Sequence, residues 1–150
     1  MSFNDFELLC VLGQGHFGKV LLARDVNNGT FCALKSIQKS RASTEAEYDS
    51  LIAERRILMM IRDSHHPFLV GLIGCFQTDL YLIFAMEYAS GGDLMGHIHK
   101  EPFSEDDAAF YTACIVLAFE FLHNRNIIYR SAPRVPPYNL PRCLQGPETR

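Results

Sequence analysis

Apolar residues follow a short period early in the chain and a longer one later. Residues 6–12 and 18–25 read as strands. Asn27-Asn28-Gly29 follows the second as a hairpin turn, because Asn and Gly tolerate positive φ. Phe31 to Ile37 reads as a third strand. Thr44-Glu45-Ala46-Glu47 has capping-box form and opens a helix, in which Leu51, Ile57, Leu58 and Ile61 recur at helical spacing. Leu69–Phe76 and Leu80–Tyr88 read as two more strands, joined near Gln77-Thr78-Asp79. Gly91-Gly92 ends that run, and Asp93 can cap a short helix carrying Leu94, Met95 and Ile98. Ser104-Glu105-Asp106-Asp107 starts a longer helix through Phe110, Ala113, Cys114, Leu117, Phe121 and Leu122. Together these elements make an α+β chain without internal repeats.

At Ser131 the pattern stops. Pro133, Pro136, Pro137, Pro141 and Pro147 crowd the last twenty residues, against only Pro67 and Pro102 before them. Proline lacks an N–H and fixes φ, so residues 131–150 are expected to form a disordered tail. A chain of 150 residues is otherwise long enough for one domain with a sizeable core. The net charge of −3 gives no general attraction to nucleic acid or an anionic membrane. Arg55-Arg56 and Lys35 to Lys39 read as solvated basic spots. No apolar run is long enough to span a bilayer. The cysteines, Cys10, Cys32, Cys75, Cys114 and Cys143, are odd in number and lack metal spacing, which favours a reducing, cytoplasmic setting with free thiols. His65-His66 and His97-x-His99 have no cysteine or carboxylate at useful spacing to complete a zinc site, so no metal centre is expected.

Gly13-x-Gly15-x-x-Gly18 is the first chemical signal. Alone it is weak, because it also fits a dinucleotide-binding turn and nearly fits a P-loop. A P-loop needs Ser or Thr after its Lys, and Val20 follows Lys19. Both rivals need a helix next, whereas Val20-Leu21-Leu22-Ala23 continues as a strand. A flap between two strands fits better, with amides able to approach phosphate where Cβ atoms would obstruct it. A glycine-rich hairpin with no ligand is the alternative. Lys35 lies in an apolar strand, where an inward ammonium needs an anion, and Glu54 on the capped helix can supply one. An exposed Lys and an unrelated Glu would be the plainer explanation.

In this order the motifs resemble the AGC group of serine/threonine protein kinases, most closely the protein kinase N and protein kinase C branches. The carrying stretches are Gly15 to Ala23, His66-Pro67-Phe68-Leu69-Val70, Met86 to Met95, His97-Ile98-His99 and Phe121-Leu122-His123 before Ile127-Ile128-Tyr129-Arg130. The resemblance implies a kinase N-lobe over 6–88, a five-stranded antiparallel sheet with one helix. The hinge and first helices of an incomplete C-lobe would follow over 89–130. It implies ATP as ligand. Leu12, Gly13, Gly15, His16, Phe17 and Gly18 would form or flank the phosphate flap, and Val20 and Ala33 would cover the adenine. Lys35 would reach the α/β-phosphates and pair with Glu54. Met86 would be the gatekeeper, Glu87 and Ala89 would offer hinge hydrogen bonds, and Asp93 would approach the ribose. Leu58, Leu72 and Tyr129 would belong to a hydrophobic spine.

The resemblance breaks after Arg130. The family continues Asp-Leu-Lys-x-x-Asn, and this chain continues Ser131-Ala132-Pro133-Arg134-Val135-Pro136. Ser131 replaces the base, Pro136 replaces a Mg²⁺-binding asparagine, and Asp-Phe-Gly is absent. The expectation is a truncated kinase that binds ATP weakly, lacks its Mg²⁺ ligands and is inactive alone. A non-catalytic module engaging partners of a parent kinase, or a non-functional splice or frameshift product met by chaperones, are the alternatives.

Overall fold

The computed structural model describes residues 1–15, 18–41 and 44–128. These residues form five strands and three helices: β1 (Phe6–Gln14), β2 (Gly18–Asp25), β3 (Phe31–Gln38), α1 (Glu45–Ser64), β4 (Leu72–Gln77), β5 (Tyr81–Glu87), α2 (Leu94–Lys100) and α3 (Glu105–His123). Short 3₁₀ segments cover Phe3–Asp5 and Lys39–Arg41. The chain divides into two compact units: residues 1–65 with 70–88, and residues 66–69 with 89 onward.

In the first unit every strand pair is antiparallel and the order is β1-β2-β3-β5-β4. Alternation along the strands gives the sheet two apolar faces. The outer face buries Phe6, Ala23, Cys32, Leu34, Ile83 and Ala85, with Leu21 and Phe76 against them. Phe6 and Phe76 come from the two edge strands, yet their rings stack 5.7 Å apart, so the twisted sheet curls until its edges meet over this cluster. Burial pushes the Cys32 thiol up to about 11, with the Asp25 carboxylate adding to the shift, so this sulfur is an inert packing group. The inner face buries Ile37, Leu72 and Phe84 against Leu51 of α1, with Leu58 and Met59 packed alongside.

Helix α1 starts where the sequence says it should. Thr44 Oγ1 accepts the Glu47 N–H at 3.3 Å, and Glu47 Oε2 accepts the Thr44 N–H at 3.0 Å. It ends at His65, which adopts a left-handed φ of 49°. Two strand boundaries differ from the hydrophobic pattern by more than one residue. β1 extends to Gln14, because register shifts between Leu8 and Cys10 and between Val11 and Gly13 absorb extra residues without breaking the pairing with β2. β4 begins at Leu72 rather than Leu69, because the Leu69 N–H turns back to the His66 carbonyl at 3.3 Å.

In the second unit Asp93 Oδ1 accepts the Gly96 N–H and caps α2. Ser104 and Asp107 form the reciprocal cap of α3, with Asp107 N–H to Ser104 Oγ at 3.1 Å. Helix α3 buries only Cys114, Ala118 and Leu122. Phe110 and Leu117 from the sequence pattern remain exposed, as do Val116 and Phe119. Phe121 instead packs against His66, ring centroids 4.7 Å apart, with the Arg125 guanidinium 3.7 Å from its centroid on the ring face. Tyr129, Arg130 and the tail at 131–150 lie outside the described residues. No helix among the described residues is long and apolar enough to cross a membrane.

His66 gives this unit a pH dependence. Its Nδ1 accepts the Phe68 N–H at 3.3 Å, and a protonated Nδ1 cannot accept. Burial lowers its affinity for a proton below the usual 6.5, and the nearby Arg125 charge acts in the same sense. The unfolded chain therefore binds this proton more readily than the folded one. His66 should contribute stability that is fully present above pH 6.5 and is lost as the pH falls through the depressed folded value. Thermal unfolding between pH 7.5 and 5 should show a fall in Tm that is smaller in His66→Gln; an equal fall in both proteins refutes the assignment.

Candidate functional site

Strand pairing collects the sequence-identified residues on one sheet face. Val20 lies opposite Lys35, Lys35 opposite Phe84, and Ala33 opposite Met86. Cross-strand partners share a face, so Val20, Ala33, Lys35 and Met86 all stand on the side that α1 covers. Val20 and Ala33 are buried, whereas Lys35 and Met86 are half-buried. Glu54 lies one turn beyond Leu51 on α1, which brings its carboxylate to the same face. Its Oε1 meets Lys35 Nζ at 2.5 Å. Each side chain is about one-third exposed, so the pair is worth only about 1 kcal/mol to stability after solvent screening. Its larger effect is geometric, since it ties the middle of the sheet to the helix. A cavity of about 300 Å³ opens beside it, lined by Ile37, Ala46, Glu47, Ser50 and Leu51 as well as the pair.

The glycine hairpin is the end of β1 and the start of β2. Gly13 pairs with Val20 and Gln14 with Lys19, and the Gly15 N–H donates to the Gly18 carbonyl at 2.9 Å. Leu12 sits at the second register shift of β1. The glycines differ in why they are glycine. A Cβ on Gly18 would lie 1.7 Å from the Ser36 carbonyl oxygen, so β2 and β3 can approach here only without a side chain. A Cβ on Gly15 would meet nothing within 4 Å. Gly15 is thus free of any packing requirement, while its amide closes the hairpin onto the Gly18 carbonyl.

Ser36 is a contributor that the sequence pattern does not single out. Its Oγ donates to the Lys19 carbonyl at 3.1 Å, stitching β3 to the flap strand beside Lys35. A lone Ser in an apolar strand carries no signal for such a role. Glu87, expected at a hinge, holds Gly71 from both sides: its N–H donates to the Gly71 carbonyl at 3.0 Å and its Oε2 accepts the Gly71 N–H at 3.3 Å. Ala89 and Asp93 belong to the second compact unit, where Asp93 is the helix cap already described. His16, Phe17 and Ser131 lie outside the described residues. Among those described, no group of three or more His, Cys, Asp or Glu side chains could hold a metal ion.

The family model of the protein kinase domain matches residues 6–131. The serine/threonine-protein kinase N2 of Danio rerio is 50% identical over 129 residues, which cover 86% of this chain and 13% of that protein. The serine/threonine-protein kinase N3 of Mus musculus is 47% identical over 127 residues, 85% of this chain and 14% of that one. The protein kinase C-like 1 of Candida albicans is 40% identical over 130 residues, 87% of this chain and 12% of its own. The chain therefore spans about an eighth of the length of these relatives.

The two glycines predict opposite responses. Gly18→Ala must displace β2 from β3 and should destabilise by roughly 1–3 kcal/mol, as overpacking does. Gly15→Ala should stay within about 0.5 kcal/mol of the parent. Chemical denaturation of the three proteins checks this, and equal stability of the two variants contradicts it.

Proposed function

The chain belongs to the protein kinase domain family, and on that premise we propose that its 150 residues hold a nucleotide without transferring its phosphate. The observation that carries the binding half is the Lys35–Glu54 ion pair, set on the face that Val20, Ala33 and Met86 share. A lysine held this way presents a positioned positive charge to phosphate oxygens. Val20, Ala33 and Met86 offer the apolar surface that a base requires.

The second half rests on sequence. Phosphoryl transfer depends on metal ions and on a residue that orients the nucleophile. Ser131 stands at the family's base aspartate, Pro136 at its metal-binding asparagine, and Asp-Phe-Gly does not occur in these residues. A serine has no useful basicity near neutral pH, and losing a general base alone removes about 10²–10⁴-fold in rate. Losing metal ligands also removes charge stabilisation of the transition state. The chain then works as a binding module in the cytoplasm, in keeping with its four free described cysteines. Its protein partners, chaperones included, would meet the exposed apolar residues Phe110, Val116 and Leu117 of α3.

Two measurements test the halves separately. With Mg·ATP and a basic Ser/Thr peptide, the purified chain should transfer no phosphate above a blank; activity that copurifies with the chain and disappears in Lys35→Met would overturn the second half. A fluorescent ATP analogue should bind with an affinity that Mg²⁺ changes by less than about tenfold, or ~1.4 kcal/mol. Lys35→Met should weaken that binding about tenfold or more, the value of a charge-assisted hydrogen bond. Strong Mg²⁺ dependence, or indifference to Lys35→Met, would contradict the arrangement described.

A further inference from the structure

A second cavity of the first unit, about 550 Å³, lies away from the ion pair, on the opposite face of the sheet. Its floor is Leu21 and Ile83, members of the outer-face cluster. Ser36 and Gln38 also line it, alternating along β3 with the inward Lys35 and Ile37. One wall is the back of the glycine hairpin, Gln14, Gly15, Gly18 and Lys19. The facing wall is the β4–β5 turn, and Phe3 and Arg41 complete the rim. The size falls in the range of small-molecule sites, roughly 300–1,000 Å³.

The walls are held in place by backbone and side-chain hydrogen bonds. The Thr78 N–H donates to the Tyr81 carbonyl at 2.8 Å, and the Tyr81 N–H returns to Thr78 Oγ1 at 3.0 Å. The Lys39 N–H donates to the Leu80 carbonyl at 2.9 Å, joining the segment that carries Arg41 to the turn. On the other side, the Gly15–Gly18 and Ser36–Lys19 bonds fix the hairpin. Such a cavity does not have to be built at the moment of binding, which lowers the ordering cost for an occupant.

Its chemistry is that of an apolar slot with a cationic rim. Phe3 is 41% exposed and Leu80 65% exposed, although both line a concave surface and neither adds to the buried core. Tyr81 adds a second ring. The Lys19 ammonium makes no ion pair among the described residues, and Arg41 adds a second cation, against Asp79 as the single acid in the lining. We infer that this outer cavity is a binding site for a small aromatic anion, an aryl carboxylate or sulfonate. Its ring lies over Leu21 and Ile83 between Phe3 and Leu80, and its charge faces Lys19. An occupant braces the glycine hairpin from the side opposite the ion pair, so the site is distinct from the nucleotide face and does not depend on it.

The test uses the full ¹⁵N-labelled chain, titrated with 2-naphthoate and separately with neutral 2-naphthamide while amide resonances are followed. The expected result is saturable shifts at Gly15, Gly18, Lys19, Leu80 and Tyr81, with naphthoate binding about tenfold or more tighter than naphthamide, or ~1.4 kcal/mol. Lys19→Gln should abolish that preference, and Leu80→Asp should weaken both ligands. Both positions are exposed, and an unchanged spectrum around α1 verifies that each variant folds. Shifts centred on Val20, Ala33 and Met86 or on α3, no preference for the anion, or indifference to both substitutions each overturn the site.

Discussion

A single ammonium group in an otherwise apolar sheet face governs how the first unit is assembled. Lys35 stands between Val20 and Phe84 in neighbouring strands, where its charge is only partly hydrated and gains from a partner. Among the described residues, Glu54 of α1 supplies the anion that pairs with it. The helix must therefore lie in the rotation that points Leu51 at Ile37 and Phe84 and, one turn later, Glu54 at Lys35. Apolar burial alone would tolerate rotational slippage of a helix that buries only Leu51 and Ile61. The ion pair adds little net energy but removes that freedom, which is a role in specificity.

The same strand, β3, then serves two surfaces through its alternation. Ala33, Lys35 and Ile37 face α1, while Cys32, Leu34, Ser36 and Gln38 face outward. Gly18 couples the two. Its missing side chain lets β2 sit against the Ser36 carbonyl, and Ser36 Oγ holds Lys19 in return. Any displacement of the hairpin is thus felt on both faces at once.

Much of this arrangement was legible in the sequence, and the legible parts share a cause: they are written in neighbouring residues. Thr44 with Glu47, Ser104 with the acids after it, and Asp93 marked helix starts because a capping bond is local. Asn28-Gly29 marked the turn after β2, where Gly29 does have φ of 75°. The roles of Val20, Ala33, Lys35 and Met86 came from the family resemblance, and strand pairing in the folded sheet puts them on one face. The misses are non-local. Nothing near Leu69 reports that its N–H turns back toward His66, and nothing in Leu9 or Leu12 reports that β1 absorbs them as register shifts. Ser36 and the Gly71–Glu87 clasp depend on strands that meet only in the folded sheet.

The second unit shows how little core can suffice for a helix and what then limits it. Of nineteen residues in α3, the fully buried ones are Cys114, Ala118 and Leu122, and two of these are small. A fully buried large apolar side chain contributes about 1.5–3 kcal/mol, and Phe110, Val116 and Leu117 forgo most of that by remaining exposed. Against a total stability of only ~5–15 kcal/mol, such losses are large. The His66–Phe121–Arg125 stack therefore carries a share of the packing that a wider core would otherwise supply. Its members are an ionisable ring, an aromatic ring and a cation. Each interaction in it changes with protonation or salt more than plain apolar burial would. The stability of this unit should accordingly follow solution conditions more closely than that of the sheet, whose core residues Ala23, Leu34, Ile83 and Ala85 have no charge to lose or gain.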